Sequence, residues 1–291
     1  MGEQGRRLRQ RLREHVASTT IMAPVQEVGL RGIRRWARQA QSFVIFCLLD
    51  VNDWLIGRFA GGRSPIYPTS EWPWIPEVEA ATPEIRREIE AYAPSTLLPQ
   101  VAAVSGLDPD SEEGKLSIPG LVGTWRTVIL FANGAWIDET ARHFPRTVEC
   151  FRGIHPKANV GFSALEPRSH IEAHVGPNRG ALRFQLPVIV PGELGDCRIR
   201  IGEEVVKWRE GEAIVFDLST NHEAWNDTDH LRVLLMVEIP MPLPPPLKWC
   251  NRLAQYSYRW HPSYRGMPDR IAGFARQRDT AMAGADADRA P

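Results

Sequence analysis

The sequence predicts a mainly β fold, a sandwich or jelly roll with flanking helices, and three observations predict it. From Ser163 to Pro240, short apolar or alternating runs recur with turn residues between them: Leu182 to Val190, Ala213 to Phe216 and Leu231 to Ile239 are bounded by Gly, Pro, Asn and Asp. That is the pattern of successive strands, and a series of short strands hides its unpaired edges best by closing on itself. Upstream, Trp125-Arg126-Thr127-Val128-Ile129-Leu130-Phe131 is a β-branched and aromatic run, which suits a half-buried pleated surface. Helical signals lie outside the strands: Thr82 stands as an N-cap before Pro83-Glu84-Ile85-Arg86-Arg87-Glu88-Ile89-Glu90, with Pro at the first helical position.

Taken in order, the 291 residues allow one large domain or two small ones, with a sizeable core. The 35 basic and 35 acidic side chains cancel, so no general attraction to nucleic acid is expected. Cys47, Cys150, Cys197 and Cys250 are widely spaced, which fits neither a zinc ribbon nor a disulfide scaffold and favours a reducing, cytoplasmic setting. The first 63 residues are basic, with Arg6, Arg7, Arg9, Arg11 and Arg13 in one run and Arg31, Arg34, Arg35 and Arg38 in another. Val16 to Pro24 is too mixed for a secretory signal. The apolar stretch Phe43 to Leu49 is interrupted by Asp50, Asn52 and Asp53 before it reaches the ~20 residues of a membrane span, so no transmembrane helix is expected. Ile33, Trp36, Ala37 and Ala40 at helical spacing describe an amphipathic element. Packing on the domain is its commoner fate, and peripheral contact with an anionic membrane is the alternative.

The helix from Pro83 should buttress one face of the sheet. Asp108 to Gly114 reads as a surface loop, and Phe144 to Glu149 starts a helix leading into the first barrel strand. Beyond Pro240, the prolines of Met241 to Leu247 impose an extended strap. Trp249 to Trp260 reads as a helix, and the small, charged residues from Thr280 as a disordered tail.

The candidate chemistry sits among the strands. His174 precedes a turn-like Gly176-Pro177, and His222 follows Asn221 at a later strand. Two imidazoles delivered from separate strands can share one metal, the alternative being core or surface histidines satisfied by hydrogen bonds. Strand alternation puts Arg232 on one inward face with Leu234 and Met236, and a buried guanidinium is costly unless an anion meets it. A bidentate carboxylate is its natural partner. Arg183, on a face with Gln185 and Pro187, invites the same reading, with internal salt bridges to Asp217 or Glu238 as the alternative. His170 shares the alternating face of His174 and replaces it if the register slips.

The segments FSALEPRSHIEAHVGP, ALRFQL, CRIRIGEEVVKWREGEAIVFD, NHEAW and LRVLLMVEI, with Tyr67-Pro68 and Trp72-Pro73-Trp74-Ile75-Pro76 upstream, resemble the aspartyl/asparaginyl β-hydroxylases in order and spacing. The resemblance implies a double-stranded β-helix of the cupin-like, jelly-roll kind over residues 66–240. A basic helical extension (1–65) precedes it, and a proline-rich strap, helix and tail (241–291) follow. It also implies an Fe(II)- and 2-oxoglutarate-dependent dioxygenase that uses O2, releases succinate and CO2, and inserts oxygen into an unactivated C–H bond. His174 and His222 would be the iron ligands. Arg232 and Ser163 would hold the distal carboxylate of 2-oxoglutarate, and Arg183 would contact the cosubstrate or a substrate carboxylate. Asp217 and Trp225 are expected near the pocket.

Three departures bear on this reading. Gly176 stands where the family's usual metal-binding carboxylate would be, although several members lack it. Ala181 and Gln185 replace an Arg and a His of the peptide-hydroxylating members. The expected substrate is therefore an aspartyl, asparaginyl or related acid-bearing compound, whether small-molecule, peptide or carrier-bound. The alternatives are a lipid acyl chain at the membrane surface, against which Gly176 counts because lipid-acting members retain the carboxylate, and a non-catalytic cupin-like binding protein.

Overall fold

The computed structural model describes residues 33–60, 64–92, 94–111, 120–155, 157–176 and 179–287. The basic run of the first 32 residues and the last four residues lie outside them. The helices are α1 (Ile33–Phe59), α2 (Ile75–Ala80), α3 (Thr82–Tyr92), α4 (Val101–Val104), α5 (Asp138–Ala141), α6 (Pro145–Arg152), α7 (Leu247–Tyr258), α8 (Pro262–Arg265) and α9 (Met267–Ala287). The strands are β1 (Ile66–Tyr67), β2 (Leu121–Val122), β3 (Trp125–Ala132), β4 (Ala135–Trp136), β5 (Val160–Leu165), β6 (Ser169–His174), β7 (Ala181–Ile189), β8 (Cys197–Ile201), β9 (Glu204–Lys207), β10 (Ile214–Asp217), β11 (His222–Asn226) and β12 (Arg232–Pro240). They form a seven-stranded sheet, β1-β10-β7-β12-β5-β3-β4, facing a five-stranded sheet, β2-β6-β11-β8-β9, both antiparallel. This is the mainly β jelly roll with flanking helices that the strand pattern predicts, and the double-stranded β-helix that the resemblance implies.

The large sheet is buried on both faces, and its sequence alternates accordingly. Val233, Leu235 and Val237 of β12, with Leu182, Phe184, Leu186 and Val188 of β7, join Ile85, Ile89 and Tyr92 of α3 in an outer core. The residues between them, Arg232, Leu234 and Met236, turn toward the small sheet, where Leu165, Ile171, Cys197, Ile199, Ile201, Trp208, Phe216 and Leu234 form a second core. Polar side chains that enter this inter-sheet layer are therefore surrounded by apolar ones.

Two sequence expectations are corrected. Asp50, Asn52 and Asp53 do not interrupt α1, which runs for 27 residues. Its stretch Ala40–Phe59 is long and apolar enough to cross a membrane by length and composition. The polar residues persist because they face the protein: Asn52 Nδ2 donates to Asn251 Oδ1 at 3.1 Å, and Asp53 Oδ1 accepts from the Arg179 backbone N–H at 2.7 Å. The tail is not disordered from Thr280, since α9 continues to Ala287. Its alanines favour the helix, and Arg278 donates to the Tyr92 carbonyl while its guanidinium lies 4.3 Å from the Tyr92 ring.

Candidate active site

The strand ladder brings the two predicted histidines together. His222 pairs with His174 across β11 and β6, and their ring centroids lie 4.2 Å apart. A bulge makes this possible. Between His222 and Ala224, β11 advances two residues while β6 advances three, from His174 to Ile171. The surplus residue reverses the pleat, so His174 faces inward while His170 faces outward. His170 stacks on Trp225 at 4.8 Å, with 8° between the rings, and its Nε2 lies 3.3 Å from Glu223. Neither His170 nor Trp225 therefore reaches the site. Simple alternation, which placed His170 on the face of His174, missed the bulge.

Both rings are held in one tautomer. His174 Nδ1 donates to the Glu172 carbonyl at 2.8 Å and His222 Nδ1 to the Thr220 carbonyl at 2.7 Å. Since a carbonyl can only accept, each neutral ring keeps its Nε2 lone pair. Burial lowers the His174 pKa, and burial together with the neighbouring His174 lowers that of His222 to about 4. Phe216 packs edge-on against His222 at 5.3 Å.

Arg232 is the largest fully buried side chain among the described residues, 1% exposed. Its Nε and Nη1 have no hydrogen-bond partner, and no carboxylate pairs with it among the described residues. Its guanidinium rests 4.7 Å from the Trp208 ring, and burial pushes its pKa down to about 10. The nearby Cys197 thiol, pushed up to about 11 by burial, stays protonated and supplies no counter-charge. Ser163 lies on the same inner face, since Arg232 pairs with Leu165 and Leu234 with Ser163. Ser163 Oγ accepts from Trp125 Nε1 at 2.9 Å, which leaves its own proton free to donate. Arg183 Nε, Gln185 Oε1 and Trp208 Nε1 are also buried without partners. Unmatched donors on Arg232, Arg183 and Trp208, with the unmatched acceptor of Gln185, are costly in an apolar layer and mark a place built for a polar ligand.

Arg183 follows the alternative foreseen for it: Nη2 pairs with Glu238 at 2.7 Å. Its charge also contributes to the lowered pKa of both histidines. Asp217 instead accepts from Ser219 N and Oγ. Arg183, Glu238 and Leu218 line a cavity of about 380 Å³ that opens between the barrel and α7, with Arg252, Tyr256 and Arg259 on its far wall.

No third metal ligand joins the histidines: among the described residues no group of three His, Cys, Asp or Glu could hold a metal. At Gly176 the backbone forbids one. A Cβ there would stand 2.5 Å from Leu218 Cγ and 2.6 Å from its carbonyl oxygen, and Gly176 N–H donates to that carbonyl at 2.8 Å. Sequence reasoning did not single out Trp208 and Trp125, which position Arg232 and Ser163. The indole of Trp208 at the end of a strand pair was the available signal.

Several known proteins share sequence or fold with this chain. A protein of Rhizobium tropici named ornithine lipid ester-linked acyl 2-hydroxylase is 34% identical over 233 residues, covering 79% of this chain and 80% of its own. The human aspartyl/asparaginyl beta-hydroxylase is 34% identical over 96 residues, 33% of this chain and 12% of its own length. Aspartate beta-hydroxylase domain-containing protein 2 of Xenopus tropicalis is 30% identical over 126 residues, 40% of this chain and 33% of its own. Thus the chain spans only a minor part of these last two. A Cupin 2 conserved barrel domain protein from Salinispora arenicola overlays 44% of this chain and 83% of its own at 9% identity, with a TM-score of 0.27. A sequence model described as Aspartyl/Asparaginyl beta-hydroxylase matches residues 79–242, more than half of the chain. On that match and on the Rhizobium relative, the chain belongs to the aspartyl/asparaginyl beta-hydroxylase family.

Proposed function

We propose that this hydroxylase-family protein is an iron(II)- and 2-oxoglutarate-dependent oxygenase that hydroxylates an acyl chain of a lipid. The observation that carries the oxygenase reading is the buried guanidinium of Arg232, without an anion, in the same inter-sheet layer as two neutral imidazoles. The donor set fits: imidazole suits iron(II), and a planar cation suits a carboxylate. When bound, iron and 2-oxoglutarate supply the oxygen activation that an unactivated C–H bond requires.

The chain's own residues supply the rest. His174 and His222 would hold the metal through Nε2, with Nδ1 pinned to a backbone carbonyl so that the rings cannot turn away. Water would stand in the position that Gly176 leaves without a side chain. Arg232 would take the distal carboxylate of the cosubstrate, and Ser163 would donate its hydroxyl proton to the same group. Leu165, Ile171, Phe216 and Leu234 exclude solvent from the layer.

The substrate reading rests on the Rhizobium lipid hydroxylase matching along most of both chains, where the aspartyl hydroxylases match along a third or so. Gly176 bears on metal coordination and not on substrate choice, because its cramped backbone excludes a carboxylate whatever the substrate. The test is succinate release with iron(II), ascorbate and 2-oxoglutarate, run with acyl lipids and with Asp- or Asn-bearing peptides. The lipid reading expects the lipid alone to gain one oxygen, with loss in His174→Ala and His222→Ala. Oxygen gained by the peptides alone would transfer the function to aspartyl side chains. Silence from wild type and both mutants across both panels would leave a non-catalytic binding protein.

A further inference from the structure

Two helices outside the barrel are apolar on the side where water should be. On α1, Ile45, Leu49, Asn52 and Ile56 are buried against the protein, a stripe at i, i+4, i+7 and i+11. Phe43, Val44, Leu48, Val51, Trp54 and Phe59 are exposed on its other sides, Trp54 by 59% and Phe59 by 61%. On α7, Leu247, Asn251 and Ala254 face inward, while Trp249, Leu253, Tyr256 and, just past its end, Trp260 repeat the same spacing outward, each more than half exposed. The helices lie side by side and antiparallel: Gln41 reaches the Trp260 carbonyl at 3.1 Å, and Asn52 reaches Asn251. Ile45, Leu49 and Ala254 fill the seam between them.

We infer that the outer faces of α1 and α7 together form a docking surface for an anionic lipid bilayer, lying in the plane of the interface. This deepens the lipid reading of the active site and rests on it only for its purpose, not for its physics. Soluble monomers rarely expose so many large apolar side chains on two neighbouring helices. Its Trp, Tyr and Phe content is the chemistry that settles at the headgroup level of a membrane.

Charge selects the anionic leaflet. Arg58, Lys248, Arg252 and Arg259 are exposed among the aromatic residues, while Asp50 and Asp53, the carboxylates of these two helices, are both partly buried. Arg34, Arg35 and Arg38 extend the basic character along α1 in sequence. The cavity beside Arg183 has Arg252, Tyr256 and Arg259 of this surface on its wall, so docking sets its mouth at the depth of lipid headgroups. A membrane-spanning α1 is the poorer arrangement, because it would strip Ile45, Leu49 and Ile56 from the protein and carry Asn52 and Asp53 into hydrocarbon.

The test uses the full chain without iron or 2-oxoglutarate, so its outcome is independent of turnover. Sedimentation with phosphatidylglycerol-containing vesicles is compared with phosphatidylcholine vesicles, for wild type, for Trp54→Glu/Leu253→Glu, and for Trp249→Phe/Trp260→Phe. Wild type should bind the anionic vesicles, with affinity falling by about tenfold or more in the double Glu variant and staying near wild type in the Phe variant. Raised salt should weaken binding, and alkaline carbonate should release the protein. An unchanged melting temperature excludes misfolding as the cause of a loss. Absence of binding by wild type, equal binding by the Glu variant, or retention after carbonate would each overturn the inference. So would gel filtration in which the Glu substitutions convert a dimer to a monomer, because a second copy would then cover the face. Failure of the lipid-hydroxylase reading shows separately, in the succinate assay on detergent-dispersed substrate.

Discussion

Replacing Arg232 with Met separates a charge kept for a ligand from one kept for the fold. The guanidinium is 1% exposed, and burial lowers its pKa from 12.5 to about 10; at ~1.36 kcal/mol per unit, holding it charged in this layer costs about 3 kcal/mol. Met removes that cost and fills most of the volume above Trp208, and the cavity it leaves returns about 1 kcal/mol at ~24 cal/mol per Å³. The ligand-free variant should therefore be more stable by about 2 kcal/mol, in line with the usual result of replacing buried charge by apolar side chains. By scanning calorimetry that is an upward shift of roughly 4–8 °C. In the same variant, 2-oxoglutarate affinity by titration calorimetry should fall by a factor on the order of 10²–10³, the loss of one partner of a buried ion pair. A lowered melting temperature would refute the reasoning, because it would mean that the resting fold already satisfies the guanidinium.

Further outcomes follow from the same geometry. His174→Ala and His222→Ala should each abolish bound iron, read by elemental analysis, and each should leave the far-ultraviolet circular dichroism intact. Gly176→Asp should not restore a three-residue metal site; with a Cβ 2.5 Å from Leu218 it should cost about 1–3 kcal/mol of stability, and tighter iron binding at unchanged stability would disprove the clash. Burial raises the Asp53 pKa from 3.8 to about 7, so the folded state holds its proton more tightly than the unfolded chain. Docking of α1 should thus weaken as pH rises from about 4 to about 7. Hydrogen exchange along α1 should show that slope in wild type and lose it in Asp53→Asn, which keeps an acceptor for the Arg179 N–H. Trp208→Phe should keep the ring beneath Arg232 but lose the indole donor, raising the KM for 2-oxoglutarate more than it lowers kcat.

Much of the barrel and its pair of histidines was legible because strands carry a two-residue period and turn residues punctuate it. Arg232 declared itself by parity alone, standing on one face with Leu234 and Met236. His170 was misplaced for a local reason: a bulge reverses the face of a strand, and no residue type announces one; Trp225, three residues from His222, faces away by simple alternation. Arg183 was ambiguous from sequence because its cross-strand neighbour, Glu238, is set by pairing between β7 and β12. On α1, polar residues within an apolar run read as interruptions, yet Asn52 faces a helix nearly two hundred residues away in the chain and Asp53 the backbone of Arg179. The tail from Thr280 has the composition of a disordered segment, but contacts such as that of Arg278 with Tyr92 hold the helix upstream of it.

The surplus residue in β6 makes residue count itself a determinant of the proposed metal site. Deleting Ala173 would leave every proposed ligand in the chain, yet the restored pleat would aim the His174 imidazole at solvent. Length changes between Ile171 and His174 are therefore more damaging than most substitutions there, and an engineered variant can exchange Glu172 or Ala173 only one for one.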